Sequence, residues 1–405
     1  MAAPSYAESG DSAPTYSASL TDGERIPELQ PSVSSPPTNL PDQYTFQSQR
    51  IKLDLGPRIW PVSTPCFGHR GMVDGVVSVT TLEHVKSITI KVEATAKAFF
   101  MQRGVPSGHV GSDLFQRSVT LYTNNIVSST LETTLTCPFS INLPATCDKS
   151  TTPLPPSFVY SLPGASVEVR YRIRVDMSRS GLRRRESLVV PILYLPRSYT
   201  SPTPQSAPPY IDQAGLACEA QGMEEIRLAP KSSRKGIERD SSPSSDIQAK
   251  IALPSPLAVA SGDRIPFIIT ISSQSQALAA LYTDISLQLV KRTTISSPHQ
   301  TSVKEKTLAF GEVYNIEEMG NGVQVLRGEL GNGAPGTELS WSAAGVVEVK
   351  HVIRLSLKPP PCRIALSTKL SAFERTIPIE VMTHRYTPDI DTALPALGLV
   401  GVNVG

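Results

Sequence analysis

The residues of this chain with chemistry to offer are five cysteines, six histidines, three proline–tyrosine segments and one run of arginines. The cysteines, Cys66, Cys137, Cys147, Cys218 and Cys362, are scattered, and no Cys-x-x-Cys pair occurs. That spacing does not suit a zinc site and fits free thiols in a reducing compartment. His69, His84, His109, His299 and His384 likewise lack metal-ligand spacing. His351 falls on the apolar phase of a strand-like segment and reads as a satisfied core histidine. The chain has no Gly-x-Ser-x-Gly elbow, no phosphate-cradling Walker loop and no dinucleotide fingerprint. No catalytic residue, metal or cofactor is expected.

Peptide recognition is the chemistry with more to go on. Ala3-Pro-Ser-Tyr6, Ala13-Pro-Thr-Tyr16 and Ala207-Pro-Pro-Tyr210 each set a tyrosine close behind a proline. A polyproline turn that presents a proline and a tyrosine to two adjacent grooves is the ligand form that WW domains read. Pro4, Tyr6, Pro14, Tyr16, Pro208 and Tyr210 are therefore candidate WW-domain ligands, and several weak copies raise one another's effective concentration. Arg183, Arg184 and Arg185 form a cluster suited to an acidic partner: anionic lipid, a phosphorylated tail or an acidic protein surface.

What must hold these segments is β-structure. From Val167 to Ser178, Val167, Val169, Tyr171, Ile173, Val175 and Met177 alternate with Glu168, Arg170, Arg172, Arg174, Asp176 and Ser178. Only a strand with one buried and one wet face separates those two sets. Similar segments run over 44–55, 75–79, 87–99, 118–122 and 137–143, then through a strand ending near Arg197. Residues 101–113, including Gly104 to Gly111, read as a glycine-rich hairpin loop. A second set of strands starts near Met223 with Glu225-Ile-Arg-Leu and continues over 247–253, 264–272, 283–292, 307–314, 346–358 and 377–382. Weak helical candidates lie at 23–30 and 212–225.

The 405 residues suffice for two domains, and 36 prolines with only 18% charged residues suit β-rich domains joined by Pro/Ser-rich segments. The expected organisation is a disordered tail at 1–45, a first domain at 46–197, a linker at 198–222, a second domain at 223–386 with a mobile insert near 231–246, and a loose tail at 387–405. A formal net charge of +2 gives no basis for a nucleic-acid partner. The N-terminus lacks a signal-peptide pattern, and no apolar run approaches the roughly 20 residues that span a bilayer. A cytoplasmic location is expected, with recruitment to plasma membrane or endosomes by a partner.

The strings Pro138-Phe-Ser-Ile-Asn-Leu-Pro, Pro155-Pro-Ser-Phe, Tyr171-Arg-Ile-Arg-Val and Val190-Pro-Ile-Leu-Tyr-Leu, in that order, resemble the N-domain of arrestins, in particular the α-arrestin branch. Arg50-Ile-Lys-Leu-Asp-Leu, Gly75-Val-Val-Ser-Val and Ser87-Ile-Thr-Ile-Lys-Val are similar to its earlier strands. Ile251-Ala-Leu-Pro-Ser-Pro, Ile265-Pro-Phe-Ile-Ile-Thr-Ile and Ile285-Ser-Leu-Gln-Leu-Val resemble the arrestin C-domain. The resemblance implies an all-β fold of two tandem arrestin-type, immunoglobulin-like β-sandwiches. It implies a non-enzymatic adaptor between a membrane protein cargo, a transporter or receptor, and a WW-domain HECT ubiquitin ligase, for endocytosis and sorting. Each Pro-x-Tyr segment here has Ala where the family prefers Pro or Leu, so a retromer-like or scaffolding arrestin fold without a ubiquitin role is the alternative. Alignment of Ser187-Leu188 with the family pattern puts Val189 where receptor-binding arrestins carry a buried phosphate-sensing arginine.

Overall fold

The structure, a computed structural model, describes residues 41–124, 134–181, 185–202, 222–231, 247–274, 276–319, 322–359, 370–389 and 391–400. Alternating segments become strands as the period-two pattern requires. The first ten strands are β1 (Gln43–Gln47), β2 (Ile51–Pro57), β3 (Cys66–Phe67), β4 (Met72–Val79), β5 (Val85–Gln102), β6 (Val105–Thr123), β7 (Leu135–Asn142), β8 (Phe158–Leu162), β9 (Ala165–Arg179) and β10 (Glu186–Tyr194). The next ten are β11 (Met223–Arg227), β12 (Ile247–Pro254), β13 (Ala258–Ala260), β14 (Arg264–Ser273), β15 (Asp284–Ser296), β16 (Thr301–Met319), β17 (Val323–Gly331), β18 (Trp341–Ala343), β19 (Val347–Lys358) and β20 (Phe373–Met382). Helix is confined, among the described residues, to the turns Gln276–Ala279 and Leu397–Leu399. No helix among them is long and apolar enough to cross a membrane.

The two sets of ten strands are wired alike. In the first, one sheet runs β1-β2-β4-β7 and the other β3-β10-β9-β5-β6, with β8 paired to β9. In the second, the order β11-β12-β14-β17 is followed by β16-β15-β19-β20-β13, with β18 paired to β19. Each strand of the first set has a counterpart ten places later. Even the parallel pairings repeat: β3 lies along β10, and β13 along β20. The difference is at one edge. β16 pairs with β15 up to Phe310 and with β17 from Gly311 on, so it joins both layers of the second sandwich.

β9 forms the centre of its sheet, between β10 and β5. Val167, Val169, Tyr171, Ile173, Val175 and Met177 are each no more than 2% exposed, and full burial of such a side chain stabilises by about 1.5–3 kcal/mol. The two cores are not separate. Ile295, Val347 and Val349, at the far ends of β15 and β19, belong to the core of the first sandwich. Trp341 meets Phe158 edge-to-face at 5.0 Å between ring centroids.

Several expectations are corrected. The segment 44–55 is a hairpin of β1 and β2 rather than one strand, and β1 begins before residue 46. Most of 101–113 is strand. The loop is only Arg103 (φ 52°) and Gly104 (φ 81°), the pair of positive φ values that a two-residue type I′ turn needs to match strand twist. β17 was not legible because Gly328 and Gly331 interrupt its apolar pattern; a Cβ on Gly328 would lie 2.4 Å from Cζ of Phe267, so the core ring takes the missing side chain's place. Met223–Arg227 is strand, as the β reading from Met223 expects and against the weak helical candidate at 212–225.

The expected ends of the domains change most. Ser198 to Thr200, placed in the linker, are tied to the end of the second sandwich: the Ser198 amide donates to Thr383 Oγ1 (2.9 Å) and the Thr200 amide to the His384 carbonyl (3.1 Å). Residues 391–400, placed in a loose tail, are packed. Ala396 and Leu399 are 2% and 3% exposed and share a small core with Cys66, Leu195 and Leu339. The Gly68 amide donates to Ala393 O (3.1 Å), and the Ala396 amide to Leu195 O (2.8 Å). The C-terminal segment thus spans both sandwiches.

Candidate binding site between the sandwiches

Where the two cores meet, the apolar phase is broken by one polar row. On β19, Val349 packs in the first core and Ile353 in the second, with His351 between them. On β15, Leu289 and Ile295 do the same, and Lys291 lies opposite His351. Lys291 shares the period-two phase of the buried Leu289, Thr293 and Ile295, in unbroken register with β19. Glu338 closes the row from the segment before β18. Its Oε2 accepts from Lys291 Nζ at 2.7 Å and lies 3.3 Å from His351 Nε2. The Lys291, Glu338 and His351 side chains are 13%, 8% and 0% exposed. Burial pushes the Glu338 carboxyl up, but the His351 hydrogen bond and the Lys291 ammonium outweigh it and hold it below its ordinary value.

Ser340 completes the group, with Oγ 2.9 Å from His351 Nδ1. With Glu338 ionised, Nε2 carries the hydrogen toward it and Nδ1 accepts from the Ser340 hydroxyl. Hydroxyl, imidazole and carboxylate stand in the order of an acyl-transfer triad, but two contacts turn them to structural work. The Val381 amide donates to Ser340 Oγ (3.0 Å), while the Ser340 amide donates back to Val381 O (2.8 Å). Lys291 already neutralises the carboxylate that would have to support an imidazolium. The group is a latch that fixes the 338–341 segment to β20.

This latch lies in the wall of a cleft of about 850 Å³, lined from the first sandwich by His69, Tyr194 and Arg197 and from the second by Trp341, His351 and Met382. Burial and the nearby Arg70 charge lower the His69 pKa, and burial raises that of Tyr194. Concave sites at the join of two domains, mostly apolar with a few polar groups, are the usual form of a binding site. A second surface suited to a partner lies on β16. Phe310, Tyr314 and Ile316 are 65%, 60% and 58% exposed, on a strand paired along only one edge in each half.

Of the residues singled out from sequence, His351 lies in this site. Pro4, Tyr6, Pro14, Tyr16, Pro208, Tyr210, Arg183 and Arg184 are outside the described residues, as is the insert from 232 to 246. Arg185 is described, and its Nη2 pairs with Asp176 Oδ2 at 3.0 Å. Arg174 Nε reaches the other oxygen at 2.9 Å. Asp176 is buried, which raises its pKa, but hydrogen bonds from Arg174 and Ser187 and the Arg174 and Arg185 charges bring it below the usual carboxylate range. On the polar face of β9, Arg170 pairs with Glu168 (2.7 Å) and Arg172 with Glu93 (2.5 Å). The arginines there are largely matched by carboxylates. Val189 is 48% exposed and lies opposite Arg174.

No protein-family model matches this chain, and no curated protein matches it. Among the described residues no group of three or more His, Cys, Asp or Glu could hold a metal ion, and Cys66, Cys137 and Cys147 are free thiols.

Proposed function

We propose that the chain is an arrestin-like adaptor of the α-arrestin branch, which holds a membrane protein cargo and presents its Pro-x-Tyr segments to a WW-domain HECT ubiquitin ligase. The observation that supports this most is the repeated strand order of two sandwiches built in tandem. The strings that resemble the arrestin N-domain lie on β7, at the start of β8, and on β9 and β10, all within one sandwich. A body whose two halves share core residues suits the holding of partners. The cleft at the join and the exposed apolar residues of β16 are the surfaces we assign to cargo. Cytoplasmic residence, with recruitment to the plasma membrane or endosomes by that cargo, goes with the reading.

Pull-down of the full chain on a panel of WW domains tests the ligase half. The wild type is expected to bind at least one domain, and a Tyr6→Ala, Tyr16→Ala, Tyr210→Ala triple variant to lose it. Equal, background binding of both proteins removes the ligase link. It leaves the second reading, a scaffolding or retromer-like arrestin fold without a ubiquitin role, which the Ala residues at positions 3, 13 and 207 favour.

A further inference from the structure

Beneath the C-terminal segment is a recess of about 360 Å³. It is lined by the turn at Ser261–Asp263, by Pro335 and Gly336, and by Pro395, Leu397 and Gly398. The wall is tight, since a Cβ on Gly398 would come within 2.7 Å of Gly336 O. Three basic residues line it, Arg197, His384 and Arg385, against one acidic residue, Asp263. Its carboxylate is engaged, with Arg385 Nε donating to Asp263 Oδ1 at 2.6 Å. Arg197 donates from Nε to the Pro395 carbonyl at a long 3.4 Å. Two guanidinium groups against one carboxylate leave a formal charge of +1 with His384 neutral. Burial and the Arg197 charge both push the His384 pKa down, as expected of a site with positive potential.

We propose that this recess binds a small molecule through a phosphate group, with Arg197 and Arg385 as its anchors. The guanidinium fork matches phosphate oxygens in geometry as well as charge. The volume sits at the low end of the roughly 300–1,000 Å³ of small-molecule sites, room for a phosphate and a short organic portion. The consequence is structural as well as chemical. Arg197 follows the last strand of the first sandwich, Arg385 follows the last strand of the second, and Pro395 to Gly398 roof the recess. A bound phosphate ties all three together and holds the C-terminal segment down. The proposal does not depend on the adaptor reading.

Calorimetric titration of the full chain with inorganic phosphate and with glycerol phosphate tests it, with chloride and glycerol as controls. Vesicles of phosphatidic acid in phosphatidylcholine form a separate arm. Saturable binding of both phosphates is expected, with slower proteolysis of the 387–400 segment. Arg197→Gln and Arg385→Gln should each weaken binding about tenfold or more, the loss of one charge-assisted hydrogen bond. Arg197→Lys, which keeps the charge without the fork, should give an intermediate loss, and Arg264→Gln, at an exposed arginine outside the recess, none. Lack of phosphate binding overturns the proposal. So does binding that survives both Gln variants, or binding to vesicles alone, which would mark a membrane-facing surface instead.

Discussion

Glu338→Ala is expected to destabilise the protein by about 3–5 kcal/mol, the range for breaking a buried ion pair from one side. The reason is what remains. Lys291, 13% exposed at its side chain, keeps its charge without a carboxylate, and His351 loses the acceptor of its Nε2 hydrogen. Chemical denaturation at pH 7 measures the loss. The pH dependence follows from the direction of the Glu338 shift. Its folded pKa lies below the ordinary 4.5, so its stabilisation is fully present above pH 4.5 and is lost as pH falls through the folded value. A Glu338→Gln variant should be less stable at pH 7 and decline less steeply on the acid side. Replacing the whole group at once, as Lys291→Met, Glu338→Leu and His351→Leu, should recover most of the stability, because no charge is then left unpaired. An equal loss in the triple variant would show that packing, rather than charge pairing, accounts for the effect.

Gly68→Ala should have the second large effect, through the C-terminal segment. A Cβ at position 68 would lie 2.4 Å from the carbonyl oxygens of both Ala393 and Leu394. Both are main-chain atoms, so the contact is relieved only by displacing the segment. The hydrogen bond from the Gly68 amide to Ala393 O goes with it, as does the burial of Ala396 and Leu399 against Cys66, Leu195 and Leu339. Loss of a buried leucine contact is worth roughly 2–5 kcal/mol. Cys66 supplies a direct readout. It is 8% exposed, and burial pushes its thiol up to about 11, so it is protected from alkylation in the native protein. In Gly68→Ala, alkylation of Cys66, located by mass spectrometry, should accelerate together with proteolysis between 387 and 400. Gly111→Ala is the control, since a Cβ there meets nothing nearer than 3.6 Å. Unchanged Cys66 protection in Gly68→Ala would mean that the segment does not depend on this contact.

Strands with one apolar face were legible in the sequence because their information is local. The alternation of Val167 to Met177 is enough to assign β9 and its buried side. His351 broke the apolar phase of β19 and could be read as a core residue, but its partners could not. Lys291 shares the inward phase of Leu289 and Ile295, but beside Arg292 it reads as part of a charged pair, and Glu338 lies in a segment without periodicity. The short parallel strands β3 and β13 have two and three residues, too few to show a period. The repeated strand order has no sequence repeat behind it, since topology follows from which strands pair and not from which residues they carry. Residues 391–400 illustrate the same limit. Their apolar residues, Ala393, Leu394, Ala396, Leu397, Leu399 and Val400, have no strand or helix phase, and their burial comes from both sandwiches together. The basic face of β9 misleads in the opposite direction, because Glu93 on a neighbouring strand and Asp176 within β9 match arginines that the sequence shows as a row.

Coupling of membrane cargo to ubiquitin ligation, the proposed role, can be tested as a whole. The most direct measurement is proximity labelling in the native cell, with the full chain and the Tyr6/Tyr16/Tyr210→Ala variant as paired baits. The wild type is expected to label a transporter or receptor together with a HECT-type ligase, and the variant to keep the cargo and lose the ligase. A wild-type set containing coat and sorting proteins but no ligase, or ligase labelling that survives the triple variant, would contradict it.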